Sequence, residues 1–120
     1  MKPLKIYIAG RYSSTNIIDG LRNIGQGRKV AADLFELGFA PFAPWWDASF
    51  VIDNPGGHYS KQMFYDASLQ WMEVSDAVYI ISGVGDGGGV DAEIMRAGEL
   101  NIPIFYKLDD LLRWADIKFI

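Results

Sequence analysis

No cysteine occurs in this chain of 120 residues, which excludes disulfides, thiolate metal sites and a cysteine nucleophile, and suits a reducing compartment. Histidine is nearly absent as well. His58 stands alone between Gly57 and Tyr59, so a histidine metal site lacks its second ligand and no metal is expected. Basic charge is in deficit, with 11 Lys and Arg against 15 Asp and Glu and a formal net charge of −4. Nucleic-acid grooves and membrane-surface sites rely on clustered Lys and Arg, so neither partner is expected. The sequence also lacks any run of the roughly 20 apolar residues that a membrane helix requires. Met1-Lys2-Pro3-Leu4-Lys5 leads directly into a short apolar strand, with no signal-peptide pattern, and a cytoplasmic protein is expected.

What is present is material for one core. Half the residues are hydrophobic (50%), 14% are aromatic, and no linker, repeat or low-complexity segment divides residues 1–120, so a single domain is expected. Strand and helix signals alternate along it. Lys5 to Ala9 reads as a strand ending at Gly10. Arg28 to Leu37 reads as the firm part of a helix, with Val30, Ala31, Leu34 and Phe35 on one face and Gly38 as its stop. Gly20, Gly25 and Gly27 weaken the preceding stretch, which predicts a mobile loop over Arg11 to Gln26. Phe39 to Phe42 is a second strand, and Ala43 to Tyr59, rich in Pro, Gly, Trp and Asp, is a long connection of the kind that is functional or disordered. Tyr59 to Ser75 is a second helix and Ala77 to Ile81 a buried strand. A third helix from Ala92 to Leu100, a strand over Asn101 to Phe105 and an amphipathic piece from Leu108 to Ala115 complete the pattern. Asp109-Asp110 reads as the start of that last helix. Such βαβαβαβ alternation implies a parallel sheet with helices on both faces.

The densest functional signal is Ser82-Gly83-Val84-Gly85-Asp86-Gly87-Gly88-Gly89-Val90-Asp91-Ala92-Glu93, a glycine-rich turn between strand and helix. It falls at the carboxyl end of a strand, where open α/β sheets bind ligands. Gly83, Gly85 and Gly88 satisfy G-x-G-x-x-G, and Asp109 lies 21 residues beyond. Charge argues against a dinucleotide site: Asp91 and Glu93 occupy the expected first helical turn, which a pyrophosphate needs free of anions. The motif also follows the third strand instead of the first. No cofactor is expected.

Three blocks together resemble the nucleoside 2-deoxyribosyltransferases and the related 2'-deoxynucleoside 5'-phosphate N-hydrolases. They are Ile6-Tyr7-Ile8-Ala9-Gly10, Leu69-Gln70-Trp71-Met72-Glu73-Val74-Ser75-Asp76-Ala77-Val78, and Gly89-Val90-Asp91-Ala92-Glu93-Ile94-Met95-Arg96-Ala97. The match covers about half the chain, and Pro103-Ile104 also falls in register. The resemblance implies a flavodoxin-like (Rossmann-like) three-layer α/β sandwich with a mostly parallel sheet of four to five strands. It implies cleavage or transfer at the N-glycosidic bond of a (deoxy)nucleoside or its 5'-monophosphate, in a homo-oligomer. The family's strand tyrosine falls on Tyr7, the aspartate before the third strand on Asp76 and the nucleophilic glutamate on Glu93. Gly10, Arg11, Tyr12 and Ser13 fall where the hydrolases place sugar and phosphate contacts, with Gly10 the close match.

Two positions depart from the pattern. The family's acid/base aspartate, eight residues before Asp76, is Ser68 here, and a serine hydroxyl cannot replace a carboxylic acid as proton donor. Asp66 lies two residues away, a rotation of about 200° on a helix, and is expected to point elsewhere. The polar residue six places before Glu93 is Gly87, with Asp86 adjacent as a substitute. An inactive nucleotide-binding or sensing module is therefore the alternative to an enzyme.

The chemistry agrees with the register. N-glycosidic cleavage builds positive charge on the sugar, which one carboxylate near C1' can stabilise or trap covalently, and Glu93 is the carboxylate best placed for it. Its plainer role would be to complement a helix dipole. Tyr7 would orient Glu93, or simply be a half-buried strand residue. Trp45-Trp46-Asp47 can stack on a base and bond the sugar, or the tryptophans can serve as core or subunit contacts. Trp71, Met72 and Phe64 read as core or interface. Arg11, Ser13 and Ser14, with backbone N–H groups from Gly87 to Gly89, can hold a 5'-phosphate between two loops. On that reading Arg11→Ala weakens a nucleoside monophosphate by about 1.5–3 kcal/mol, the scale of a charge-assisted hydrogen bond, and leaves the matching nucleoside unchanged. Calorimetric titration of both ligands decides it; equal losses, or none, would remove Arg11 from the site.

Overall fold

Burial on both faces is what a strand paired on both edges requires, and the first strand meets it by alternation. In the computed structural model, which describes residues 2–10, 16–44, 48–81 and 89–118, Lys5–Ala9 forms β1 and Ile6 to Ala9 are all buried. Ala40–Phe42 (β2), Ala77–Ile80 (β3) and Ile104–Phe105 (β4) join it in one sheet of order β2-β1-β3-β4, every pairing parallel. Successive side chains point to opposite faces. Ile6 and Ile8, with Ala77, pack against Ala31 and Leu34 of α1 (Ile17–Glu36) and Leu111 and Ala115 of α5 (Leu108–Lys118). Tyr7, Ala9, Val78 and Ile80 pack on the other face against Met72 of α3 (Lys61–Glu73) and Ala97 of α4 (Gly89–Glu99). A short helix, α2 (Ala48–Asp53), lies between β2 and α3. The result is a three-layer α/β fold, compatible with a flavodoxin-like architecture, in which an all-parallel sheet of four strands carries helices on both faces.

Helix α1 corrects the expected loop of Arg11 to Gln26 from Ile17 onward, while Arg11 to Thr15 lie outside the described residues. It runs unbroken for 20 residues through Gly20, Gly25 and Gly27, although each interior glycine costs roughly 1 kcal/mol relative to alanine. Asn16 caps its start, its side chain accepting from the Ile18 and Asp19 N–H groups at 2.8 and 3.4 Å. Gly27, Ala31 and Leu34 form its buried stripe, and the tertiary packing outweighs the weak propensity. Phe35, expected on the inner face, is 71% exposed. The helix stops as expected at Gly38, whose φ of 98° suits glycine. The Gly38 N–H bonds to Phe35 O and the Phe39 N–H to Leu34 O, the paired closure of a Schellman motif.

The remaining differences are smaller. The connection after β2 is interrupted by α2, and Tyr59 ties α2 to the start of α3, its hydroxyl accepting from Asn54 and donating to the Phe50 carbonyl while its ring packs on Phe64. Helix α4 begins three residues before the expected Ala92. Among the described residues no helix is long and apolar enough to cross a membrane.

Asp76 fixes the amino end of the sheet. Its carboxylate accepts from the Lys5 N–H at 2.7 Å while its own N–H donates to Lys5 O at 2.8 Å, a reciprocal clamp that registers β1 against β3. This is the end away from the strands' carboxyl termini, so Asp76 shapes the fold and lies apart from any ligand there. Replacing it by alanine is expected to cost about 1 kcal/mol in urea unfolding, given the solvent access of Lys5. A change within the roughly 0.5 kcal/mol of ordinary surface substitutions would remove the clamp from the stabilising interactions.

Candidate functional site

The parallel pairing brings the carboxyl ends of β1 and β3 side by side, since the Ile81 N–H bonds to Ala9 O at 2.9 Å just beyond the β3 strand. Gly10 comes directly after and is buried. Strand order reverses direction between β1 and β3, the place where doubly wound sheets open a crevice. Helix α4 leaves that edge with Gly89 as its first residue. Helix α3 runs back toward β3, so its amino-terminal half lies at the same end.

Tyr7 sits under this edge and is 0% exposed, more deeply placed than the half-buried strand residue expected. Its ring stacks on Phe42 of β2 at 5.7 Å, and Phe42 stacks in turn on Trp71 of α3 at 5.5 Å. Three elements are thereby tied to one aromatic ladder. Trp71 itself remains 57% exposed, whereas Met72 beside it is fully buried and Phe64 half-buried.

Glu93 occupies the second turn of α4, one turn later than expected, with Asp91 as the acidic residue of the first turn. It precedes the buried Ala97 by four residues and therefore shares the helix face turned to Tyr7 and Met72. Both the Tyr7 hydroxyl oxygen and Glu93 Oε2 are shielded from solvent. On α3, Ser68 is buried at 7% exposure, four residues before Met72 on the inward face. Asp66 is exposed and accepts from Gln62 Nε2 at 2.7 Å, as its helical rotation predicts.

The structure adds a residue that the sequence did not single out. Tyr65 is half-buried, three residues before Ser68 on the same face. Burial raises its phenol pKa above the ordinary value, and the negative charges of Glu93 and Asp66 raise it further. Glu93 is thus an electrostatic neighbour of Tyr65 across the α3–α4 contact. The available signal was the i, i+3 spacing from Tyr65 to Ser68, but nothing in the sequence says which helix faces this stripe.

A second link holds the two helices together. Arg96 donates from Nε and Nη2 to Glu73 Oε1 at 3.2 and 3.0 Å, and from Nη1 to Glu99 Oε2 at 3.0 Å. Arg96 lies one turn beyond Glu93, so the bridge to Glu73 fixes how α4 sits on α3 near the carboxylate.

Of the sequence-predicted residues, Glu93, Tyr7 and Ser68 lie on one side of the sheet, and Gly10 and Gly89 lie at its carboxyl edge. Arg11, Tyr12, Ser13, Asp47, Asp86 and Gly87 fall outside the described residues, as do Trp45 and Trp46. His58 is exposed, and among the described residues no group of three His, Cys, Asp or Glu side chains is placed to hold a metal. The chain matches no protein-family model and no curated protein.

Because the folded pKa of Tyr65 lies above the unfolded value of about 10, its contribution to stability is full below that pH and is lost as pH rises through the folded pKa. An alkaline absorbance difference between wild type and Tyr65→Phe is expected to isolate a phenol that ionises above pH ~10. Glu93→Gln is expected to lower that midpoint. An unchanged midpoint would separate the two side chains electrostatically.

Proposed function

We propose that this protein cleaves or transfers the N-glycosidic bond of a (deoxy)nucleoside or its 5'-monophosphate, with Glu93 as nucleophile. The observation that carries the reading is Glu93, half-buried with Oε2 shielded from solvent, one helical turn before the Ala97 that packs with Tyr7 and Met72 on one face of a parallel sheet. A carboxylate in such a position is partly stripped of water and faces the site where α/β sheets take small ligands, which suits attack on C1' as positive charge grows on the sugar. Tyr7, packed by Phe42, supplies a rigid floor, and the Arg96–Glu73 bridge limits movement of α4 against α3. Nucleoside-type substrates follow from the resemblance of the three sequence blocks, and the phosphate from Arg11, Ser13 and the glycine-rich turn.

One observation favours a second reading, in which the same pocket binds a nucleotide without turnover. Ser68 stands buried where the related enzymes carry an acid, and a serine hydroxyl does not titrate in the range useful for general acid catalysis. Chromatography of a nucleoside and monophosphate panel separates the two, since an enzyme releases free base and a binder shows only a thermal shift. Glu93→Gln is expected to retain the fold and ligand binding while lowering base release by orders of magnitude. Turnover within a factor of about three of wild type, or ~0.7 kcal/mol in barrier, would remove Glu93 as nucleophile.

A further inference from the structure

Loss of a nucleobase leaves an electron pair on its departing nitrogen, so glycosidic cleavage needs a proton as well as a nucleophile. Among the described residues of α3 that carry an acidic O–H or carboxyl group near Glu93, the candidates are few. Asp66 is exposed and engaged with Gln62, and Ser68 is sunk among Met72 and its neighbours. Tyr65 is placed differently. It lies one turn closer than Ser68 to the amino end of α3, hence closer to the carboxyl edge of the sheet, and is half-buried on the helix stripe that carries the buried Ser68 and Met72.

Resting on the glycosidic reading above, we propose that Tyr65 is the catalytic proton donor to the departing base, taking the role that Ser68 cannot fill. Glu93 forms a bond from a carboxylate oxygen to C1' as the C1'–N bond breaks. The bonding pair passes to the base nitrogen, and the Tyr65 O–H proton goes to the base. Water then attacks C1', the glycosyl ester releases Glu93 as carboxylate, and the tyrosinate takes the proton from that water, which restores both residues. The net change is substrate plus water to free sugar and free base.

The groups facing Tyr65 suit this cycle. A phenol is protonated through the neutral range at its ordinary pKa of about 10, and burial, Glu93 from α4 and Asp66 from its own helix only raise that value, so the donor is loaded whenever substrate binds. An unprotonated nucleobase anion is a base of strength comparable to a phenolate, so the transfer is close to balanced.

The test uses a leaving group that needs no proton. Single-turnover base release is measured for wild type and Tyr65→Phe with a purine deoxynucleoside monophosphate and with its N7-methyl counterpart, whose base departs neutral. Tyr65→Phe keeps the ring and its packing. The expected result is a loss of about 10²-fold or more on the ordinary purine and a rate within about threefold of wild type on the methylated one, the latter also certifying the fold. Equal losses on both substrates, or no loss on either, would overturn the assignment of Tyr65 and leave that of Glu93 standing. Absence of base release by wild type from both substrates would overturn the glycosidic reading, and this one with it.

Discussion

The parallel pairing of β1 with β3 is the constraint on which the rest of the molecule depends. With β2 on its other edge, β1 has no free side, and its pleat has to be satisfied by apolar groups on both faces at once. Ile6 and Ile8 take one face, Tyr7 and Ala9 the other. A slip of one residue would exchange the two sets and place the Tyr7 hydroxyl under α1 and α5. The Asp76 carboxylate on the Lys5 N–H opposes such a slip at one end of the strands, and the Ile81 bond to Ala9 opposes it at the other.

Once the register is set, the face bearing Tyr7 decides where polar groups gather. Most of what α3 and α4 place there is apolar, Met72, Leu69, Ile94 and Ala97 among them. Tyr65, Ser68 and Glu93 are exceptions, as are the mutually paired Glu73 and Arg96, and withdrawing such polar groups from water carries a desolvation cost. Sites of that kind are where function is sought first. The Arg96–Glu73 pair is partly exposed, so its contribution to stability is small, on the order of 1 kcal/mol or less. Its geometric effect is larger, because two donors of a planar guanidinium on one carboxylate oxygen restrict sliding of the helices.

Helix α1 illustrates how far packing can override local preference. Three glycines in its first eleven residues argue for a loop, yet the Asn16 cap and the Gly27, Ala31 and Leu34 stripe hold one continuous helix against β1. The amino-terminal turns remain lightly held. Ile17, Ile18 and Leu21 are 79%, 57% and 62% exposed, so the helix is anchored mainly by its second half.

Tyr7 was singled out only by the resemblance of its block, whereas the strands, the Gly38 stop and the parallel alternation were legible in the sequence, as was the carboxylate Glu93 after the glycine-rich turn. Each of these is written in local patterns: a continuous apolar run, a glycine after a helical stripe, a carboxylate opening a helix after a glycine-rich turn. The start of α1, the face of Phe35 and the turn of α4 that bears Glu93 were not legible, because helix ends and faces are fixed by what packs on them. That the charge of Glu93 acts on Tyr65, that Ser68 is buried and that Asp76 clamps the opposite end of the sheet emerge only in three dimensions. Tyr65 and Glu93 are 28 residues apart in the chain, and their electrostatic proximity depends on how α3 and α4 rotate against the sheet face that Tyr7 occupies. No local pattern carries that rotation, since it follows from the joint burial of side chains on three separate elements.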